Sequence, residues 1–359
     1  MVGELAAIVV GLLVATWIMT SIIRTVVLPG PQRVWLTMLS FEVARRASNW
    51  LAKRIRLSTA IALLGGFAPT VFVLQPLLWS VGMICAFAAI FWGAGFGTFG
   101  ESIELSGSSF TTLGISASPD FPLSILVVVE ALIGLSILGL MIGYLPTLYG
   151  TFSRREVAVG RLTTRAGSPP VPSSFIGRLQ AIGRIELIGD LWEDWEDWFV
   201  ELGETHTTFP ALIYFRSSHP ERNWLAAAET ALDTAALVAA TKIIPPTGQA
   251  DTMIRSGYIA LRSIADFYRI EAELDESEMQ RMSVQRSQFE QLLDELEAQG
   301  LQLERDRDDI WSDYAGWRLN YDRSVTGLRA LIGFVPSHWD EVKGNQDALA
   351  ANTDQSTAS

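Results

Sequence analysis

The sequence holds a single cysteine, Cys85, and three histidines, His206, His219 and His338, in 359 residues. One thiol can build neither an intrachain disulfide framework nor a cysteine-based zinc site. The histidines stand at no metal-ligand spacing from carboxylates or from each other, so no metal and no resident cofactor is expected. Each histidine reads as a surface or turn residue. No glycine-rich phosphate loop or nucleotide fingerprint follows a strand pattern, and no Ser/His/Asp arrangement can be assembled, so an enzyme reading has no residue to stand on. A basic surplus is missing as well. The formal net charge is −12 with a pI near 4.8, which argues against nucleic-acid binding, since that needs positive charge or a strong basic patch. Charged residues of both signs make up only 18% of the chain, against about a quarter in a typical soluble domain.

Apolar side chains fill the gap: 49% of the residues are hydrophobic and the mean hydropathy is +0.26. High hydropathy and high acidity conflict until they are placed along the chain. Residues 1–150 contain seven Lys/Arg and six Asp/Glu, a net of +1, whereas residues 151–359 contain 20 and 33, a net of −13. A membrane portion followed by a soluble portion accounts for both.

Three apolar runs stand out. Leu5 to Ile23 is nineteen residues without a charge, about 28 Å as a helix and close to the thickness of a hydrocarbon core. Glu4 precedes it where a secretory signal would carry a basic residue, so it reads as an anchored helix. A second run covers about Ala68 to Phe96, with Pro76 inside it, and a third covers Leu123 to about Leu148, broken only by Glu130. Arg24, Arg33, Arg45, Arg46, Lys53, Arg54 and Arg56 lie between the first two runs, and Arg154, Arg155, Arg161 and Arg165 follow the third. Residues 97–121 carry only Glu101, Glu104 and Asp120. Basic loops stay on the cytoplasmic side, which predicts an external N-terminus and a cytoplasmic C-terminal region in a multi-pass protein of the bacterial inner (plasma) membrane.

Between Arg33 and Leu57 the chain is too charged to span. Leu36, Leu39, Val43, Ala47 and Trp50 share one helical stripe, which suits a helix lying in the interface against membrane lipids. A connecting helix packed on the soluble region fits the same stripe.

The loop between the second and third runs is unusually apolar. Residues 101–112 would make a helix of about 18 Å, long enough to enter a membrane without crossing it, and Leu113-Gly114-Ile115 follow. A re-entrant pore helix and loop has this layout, because irregular backbone at membrane depth must be buried in protein or line a water-filled path.

The segments SGSSFTTLGI (Ser106–Ile115) and VVVEALIGLSILGLMIGYLP (Val127–Pro146) resemble the pore loop and inner helix of the bacterial two-span potassium-channel-like family. The likeness is carried by Ser108, Phe110 to Gly114 and Glu130 to Gly134, and it covers residues 67–150. The stretch from Phe209 to Val238 also resembles the soluble region attached to some members. The resemblance implies a homotetramer in which backbone carbonyls replace the hydration shell of K⁺ or another monovalent cation. Its selectivity filter would be Thr111, Thr112, Leu113, Gly114, Ile115 and Ser116, with Glu130, Ser108 and Ser109 supporting it from behind. Glu101, Glu104 and Asp120 would ring the outer mouth, and Gly134, Gly139 and Gly143 would be candidate hinge positions of the inner helix. The family's Thr-Val-Gly-Tyr-Gly is here Thr112-Leu113-Gly114-Ile115-Ser116. Ser116 carries a Cβ that a left-handed backbone would penalise, and Ile115 lacks the bracing phenol. Selective conduction, weaker selectivity and no conduction therefore all stay open. For Glu130 the alternative is a side chain packed between helices with no bearing on conduction; for the glycines it is close packing.

The expected architecture is an all-α membrane protein with three transmembrane helices, a re-entrant pore helix and loop, and an all-α cytosolic domain. In order, these are an N-terminal transmembrane helix (1–30), an interfacial basic segment (31–66), a pore domain (67–150), a linker (151–174), a helical cytosolic domain (175–340) and a disordered polar tail (341–359). Helices are expected near 175–204, 207–217, 221–242, 250–272 and 276–327. Trp192, Trp195 and Trp198 mark a buried amphipathic face. Met282, Phe289, Leu296, Leu303, Ile310 and Trp317 recur every seven residues, which fits either an intersubunit coiled coil or intrachain packing. Two functions follow: a tetrameric monovalent-cation channel, or a non-conducting pore-loop scaffold or sensor acting through its acidic helical domain. The partner or ligand of that domain is not written in the sequence.

Overall fold

The computed structural model describes residues 2–28, 35–52, 54, 57–117, 119–168, 170–217, 222–246, 248–271, 281–333 and 337–339. The described residues are helical, with no strand among them. They divide into two compact units, Met1–Gly150 and Thr151–Ser359.

In the first unit, α1 (Val2–Ile22) continues through a wider π turn to Val27, α2 covers Trp35–Ala52 and α3 covers Leu57–Gly93. The short α4 (Phe99–Phe110) precedes α5 (Leu123–Ala166). Three segments, Val2–Val27, Ala68–Gly93 and Leu123–Ala166, are long and apolar enough to cross a membrane. Glycines set the packing of α1 on α3. A Cβ on Gly11 would meet Ala86 and Ile90, one on Gly82 would meet Ile18, and one on Gly93 would meet Glu4 and Ile8. Contacts that rise in number on one helix while falling on the other make the pair antiparallel, held close by small residues. The helix α3 runs through Pro69 and Pro76, and α5 runs through Pro146.

The second unit is built around α8 (Trp224–Thr241), of which nearly every residue is buried. Its alanines, among them Ala227, Ala231 and Ala235, let neighbours approach on all sides. Packed with it are α6 (Pro172–Ala181), α7 (Leu191–Thr208), α9 (Gly248–Phe267), α11 (Arg307–Arg318) and α12 (Asp322–Ile332), while α10 (Arg286–Ala298) packs on α6 and α11. Trp192, Trp195 and Trp198 all face this core, the last two edge to face at 5.2 Å.

Several sequence boundaries are corrected. Among the described residues, the helix expected over 276–327 is three: Gly300, at φ +89, ends α10, and the Asp306 side chain caps α11 through the Asp308 amide. The seven-residue series therefore crosses a break and cannot be one continuous coiled-coil seam. Phe289, Leu296 and Ile310 are buried inside the unit instead. Gly183, at φ +62, splits the expected 175–204 helix, and 207–217 holds the end of α7 and a 3-10 turn, Pro210–Tyr214, in place of a helix of its own. The expected linker holds the end of α5 and the start of α6. Two histidines expected at the surface are core residues: His206 and His338 are 1% and 4% exposed. His219 and the 341–359 tail lie outside the described residues.

Candidate functional site

The site is the turn between α4 and α5, and serine chemistry builds it. A reciprocal capping box opens α4: Thr98 Oγ1 accepts the Glu101 amide at 3.3 Å, and Glu101 Oε2 accepts the Thr98 amide at 2.6 Å. Two otherwise unpaired donors are satisfied this way, so Glu101 is a helix cap, whereas Glu104 and Asp120 are simply exposed.

One face of α4 presents Ser102, Ser106 and Ser109, and Ser108 lies about 100° further round the helix; all four are buried. Serine is small enough for neighbouring backbone to come close, and its hydroxyl can satisfy that backbone. Ser102 donates to the Phe96 carbonyl at 2.8 Å and Ser109 to the Val127 carbonyl of α5 at 2.6 Å. Ser106 bridges both long helices, touching the Ile84 carbonyl of α3 at 2.9 Å and Oε1 of Glu130 on α5. Glu130, the one Asp, Glu, Lys or Arg within the apolar stretch of α5, is fully buried. Ser106 is the residue that sequence reasoning missed; its signal was a serine one helical turn from both Ser102 and Ser109.

A Cβ on Gly134 would collide with the Phe110 carbonyl, so this glycine is where α5 meets the end of α4. Gly139 and Gly143 have no such neighbour within 4 Å. The three candidate hinge glycines are thus physically unlike.

Two bonds of a Schellman-type cap close the C-terminal end of α4. The Leu113 amide donates to the Ser108 carbonyl at 2.9 Å and the Thr112 amide to the Ser109 carbonyl at 3.0 Å. That cap puts Thr112 in the left-handed region at φ +57, where a β-branched residue is rare. Gly114 follows at φ +67, while Ser116 has no positive φ. The steric cost expected at Ser116 therefore falls on Thr112, and Thr112 belongs to the helix end as much as to the loop.

The Ser108 hydroxyl then accepts two consecutive amides, Ile115 at 2.9 Å and Ser116 at 3.2 Å. In a trans peptide the C=O points opposite to the N–H. The carbonyls of Gly114 and Ile115 are consequently both turned away from α4, to the same side. A regular strand alternates its carbonyls; here the two peptides are joined at Ile115, which has no positive φ, while Gly114, at φ +67, turns the backbone just before them. Leu113 and Ile115 leave their side chains largely exposed. An open groove of about 380 Å³ runs between this turn and the α5 residues Val128, Leu132 and Leu135.

Among the described residues no group of three or more His, Cys, Asp or Glu is placed to hold a metal ion. Compared with known proteins, the chain matches no family model, no curated protein and no solved structure.

Proposed function

We propose that the chain is one subunit of a potassium-channel-like homotetramer that passes monovalent cations along Thr111–Ser116. The observation that carries this reading is the paired hydrogen bonding of Ser108 to Ile115 and Ser116. It turns two successive carbonyls to one side, and a row of carbonyls is what a dehydrated cation requires. Four such rows around an axis would replace its water. The exposed backbone of the turn supports the same assembly, because irregular backbone at membrane depth is tolerated only against protein or a water-filled path. On this reading α4 is a re-entrant pore helix, α5 the inner helix, and the Thr151–Ser359 unit an acidic cytosolic domain. Ser106, Ser109 and Glu130 brace the turn from behind, and Glu104 and Asp120 raise the local cation concentration outside.

The test is ion flux from the purified full-length protein in liposomes, comparing K⁺, Na⁺ and an anion. Cation flux above that of empty vesicles, with no anion flux, is expected. Absence of flux across varied voltage and pH overturns the channel reading and leaves a non-conducting pore-loop scaffold or sensor.

A further inference from the structure

The helix α2 packs against α3 and touches α1, both of which carry candidate membrane spans. Its two faces differ in kind. Phe41 and Ser48 are buried at 3% and 9% exposure. On the opposite side Leu39, Val43 and Trp50 are 40%, 57% and 57% exposed. At 100° per residue, positions 39, 43, 46 and 50 fall within a stripe about 60° wide. The Arg46 side chain, 76% exposed, lies in that stripe, and the Arg54 guanidinium returns over the Trp50 ring at 3.7 Å. Glu42 is the only acid between residues 24 and 66, which hold seven Lys/Arg. Its carboxylate is shared by Arg45 and Arg46, so it neutralises no more than one of them.

This combination suits neither bulk water nor hydrocarbon. Three large apolar side chains facing water would be unfavourable, and Arg46 in the bilayer interior would be costly. Both requirements are met at one depth, where indole rings settle among headgroups and guanidinium groups reach phosphate oxygens. A guanidinium stacked on an indole is already oriented and gives up little further freedom on binding.

We propose that the Leu39–Val43–Arg46–Trp50 stripe of α2, with Arg54, is a docking surface for anionic phospholipids of the adjoining leaflet. Arg46 and Arg54 take the headgroup phosphates, and Leu39, Val43 and Trp50 enter the acyl boundary. The inference rests on α1 and α3 spanning the membrane, but it is independent of whether the protein conducts.

The test uses the full-length protein in mixed detergent–lipid micelles, titrated with phosphatidylglycerol or phosphatidylcholine, with bound lipids counted by native mass spectrometry. Wild type should prefer phosphatidylglycerol, and that preference should weaken from about 50 mM to about 1 M salt as charge is screened. The double substitution Arg46→Gln/Arg54→Gln should lower phosphatidylglycerol affinity by about 25-fold, roughly fivefold per arginine. The Arg46→Lys/Arg54→Lys pair should retain most of it. Unchanged affinity in the Gln variant overturns the proposal, as does a wild-type preference insensitive to salt, which needs no variant to fold. A disulfide between two copies through Val43→Cys, made with Cys85→Ser, also overturns it by showing that protein covers the stripe.

Discussion

Nη1 of Arg318 sits between both carboxylate oxygens of Asp233, at 2.8 and 2.7 Å, with neither side chain reaching solvent. The remaining arms of the guanidinium reach Asp322 and Glu229, each at 2.8 Å. Asp233 also accepts from Tyr314, Tyr321 and the Trp339 indole. Burial works against both charges, yet each holds the other ionised. Asp233 stays below the usual carboxylate range and Arg318 above the usual guanidinium range. Replacing Arg318 by Met takes the shared arginine from three buried acids, of which Glu229 keeps Arg329 and Asp233 keeps a 3.0 Å contact with His338 Nε2, and the expected loss is about 3–5 kcal/mol. Arg318→Lys should rescue little, because an ammonium cannot serve three directions from one plane. Unfolding of the full chain in detergent measures both, and a loss below about 1 kcal/mol would show that the network contributes little.

His206 predicts an acid sensitivity with a definite window. Its Nε2 lies 3.2 Å from Nη1 of Arg155, and its Nδ1 lies 3.0 Å from the Leu202 carbonyl. Donation from Nδ1 leaves Nε2 as the acceptor for Arg155, so the ring is neutral. Burial first, and then the Arg155 charge, hold its pKa well below the ordinary 6.5. The unfolded chain therefore binds a proton that the folded chain refuses once the pH falls below about 6.5. The His206 contribution to stability should be level above that value and should fall on acidification, by at most about 1.4 kcal/mol per pH unit. Asp233, whose pKa is also depressed, adds its own loss only below its ordinary value of 3.8. Melting curves at pH 7.5 and 5.5 test this, and His206→Gln should flatten the difference; an equal acid loss in that variant would assign it to other groups.

Ser108→Ala removes the common acceptor of the Ile115 and Ser116 amides. Each orphaned donor costs about 1–3 kcal/mol when shielded from water, enough to release the turn. Liposome flux should lose cation selectivity or disappear, while Ser108→Thr, which keeps a hydroxyl, should keep both. Wild-type selectivity in the alanine variant would place the ion path elsewhere.

Gly114→Ala meets no atom within 4 Å, so its effect is conformational only. A left-handed backbone costs a residue with a Cβ about 1–2 kcal/mol. Selectivity should fall without loss of folded protein, as judged by flux and melting measured on the same preparation. Unchanged permeation would remove Gly114 from the ion path.

Gly134→Ala and Gly139→Ala should part company. The first drives a methyl group into the Phe110 carbonyl and should destabilise the contact between α4 and α5. The second meets nothing within the chain and gains helix propensity of up to about 1 kcal/mol. Reduced flux with intact melting in Gly139→Ala would identify a hinge there; a collapsed melting transition would mean that a neighbouring subunit packs on it.

Features set by neighbours in sequence were legible before the fold. The apolar runs are visible in the Leu5–Ile23 and Leu123–Leu148 segments because crossing a membrane depends on length and composition alone. The end of α4 was misplaced by two residues, since a Schellman-type turn at Thr112 uses a β-branched residue where glycine is the usual signal. The long helix expected over 276–327 failed for the opposite reason. Its seven-residue recurrence was real, but Gly300 in a left-handed conformation outweighs periodicity.

By itself the sequence determined three apolar helices, the separation of a nearly neutral first part from one of charge −13, and the basic stretch between the first two runs. Each is a sum over adjacent residues and needs no partner. Only the tertiary structure decided which polar side chains meet. Ser106 finds Glu130 across 24 residues and Arg318 finds Asp233 across 85. It also decided that Gly134 is a packing glycine, and that α2 buries Phe41 while leaving Trp50 outside. A buried hydrogen bond or charge pair depends on geometry between distant segments, and periodicity along the chain carries no record of it.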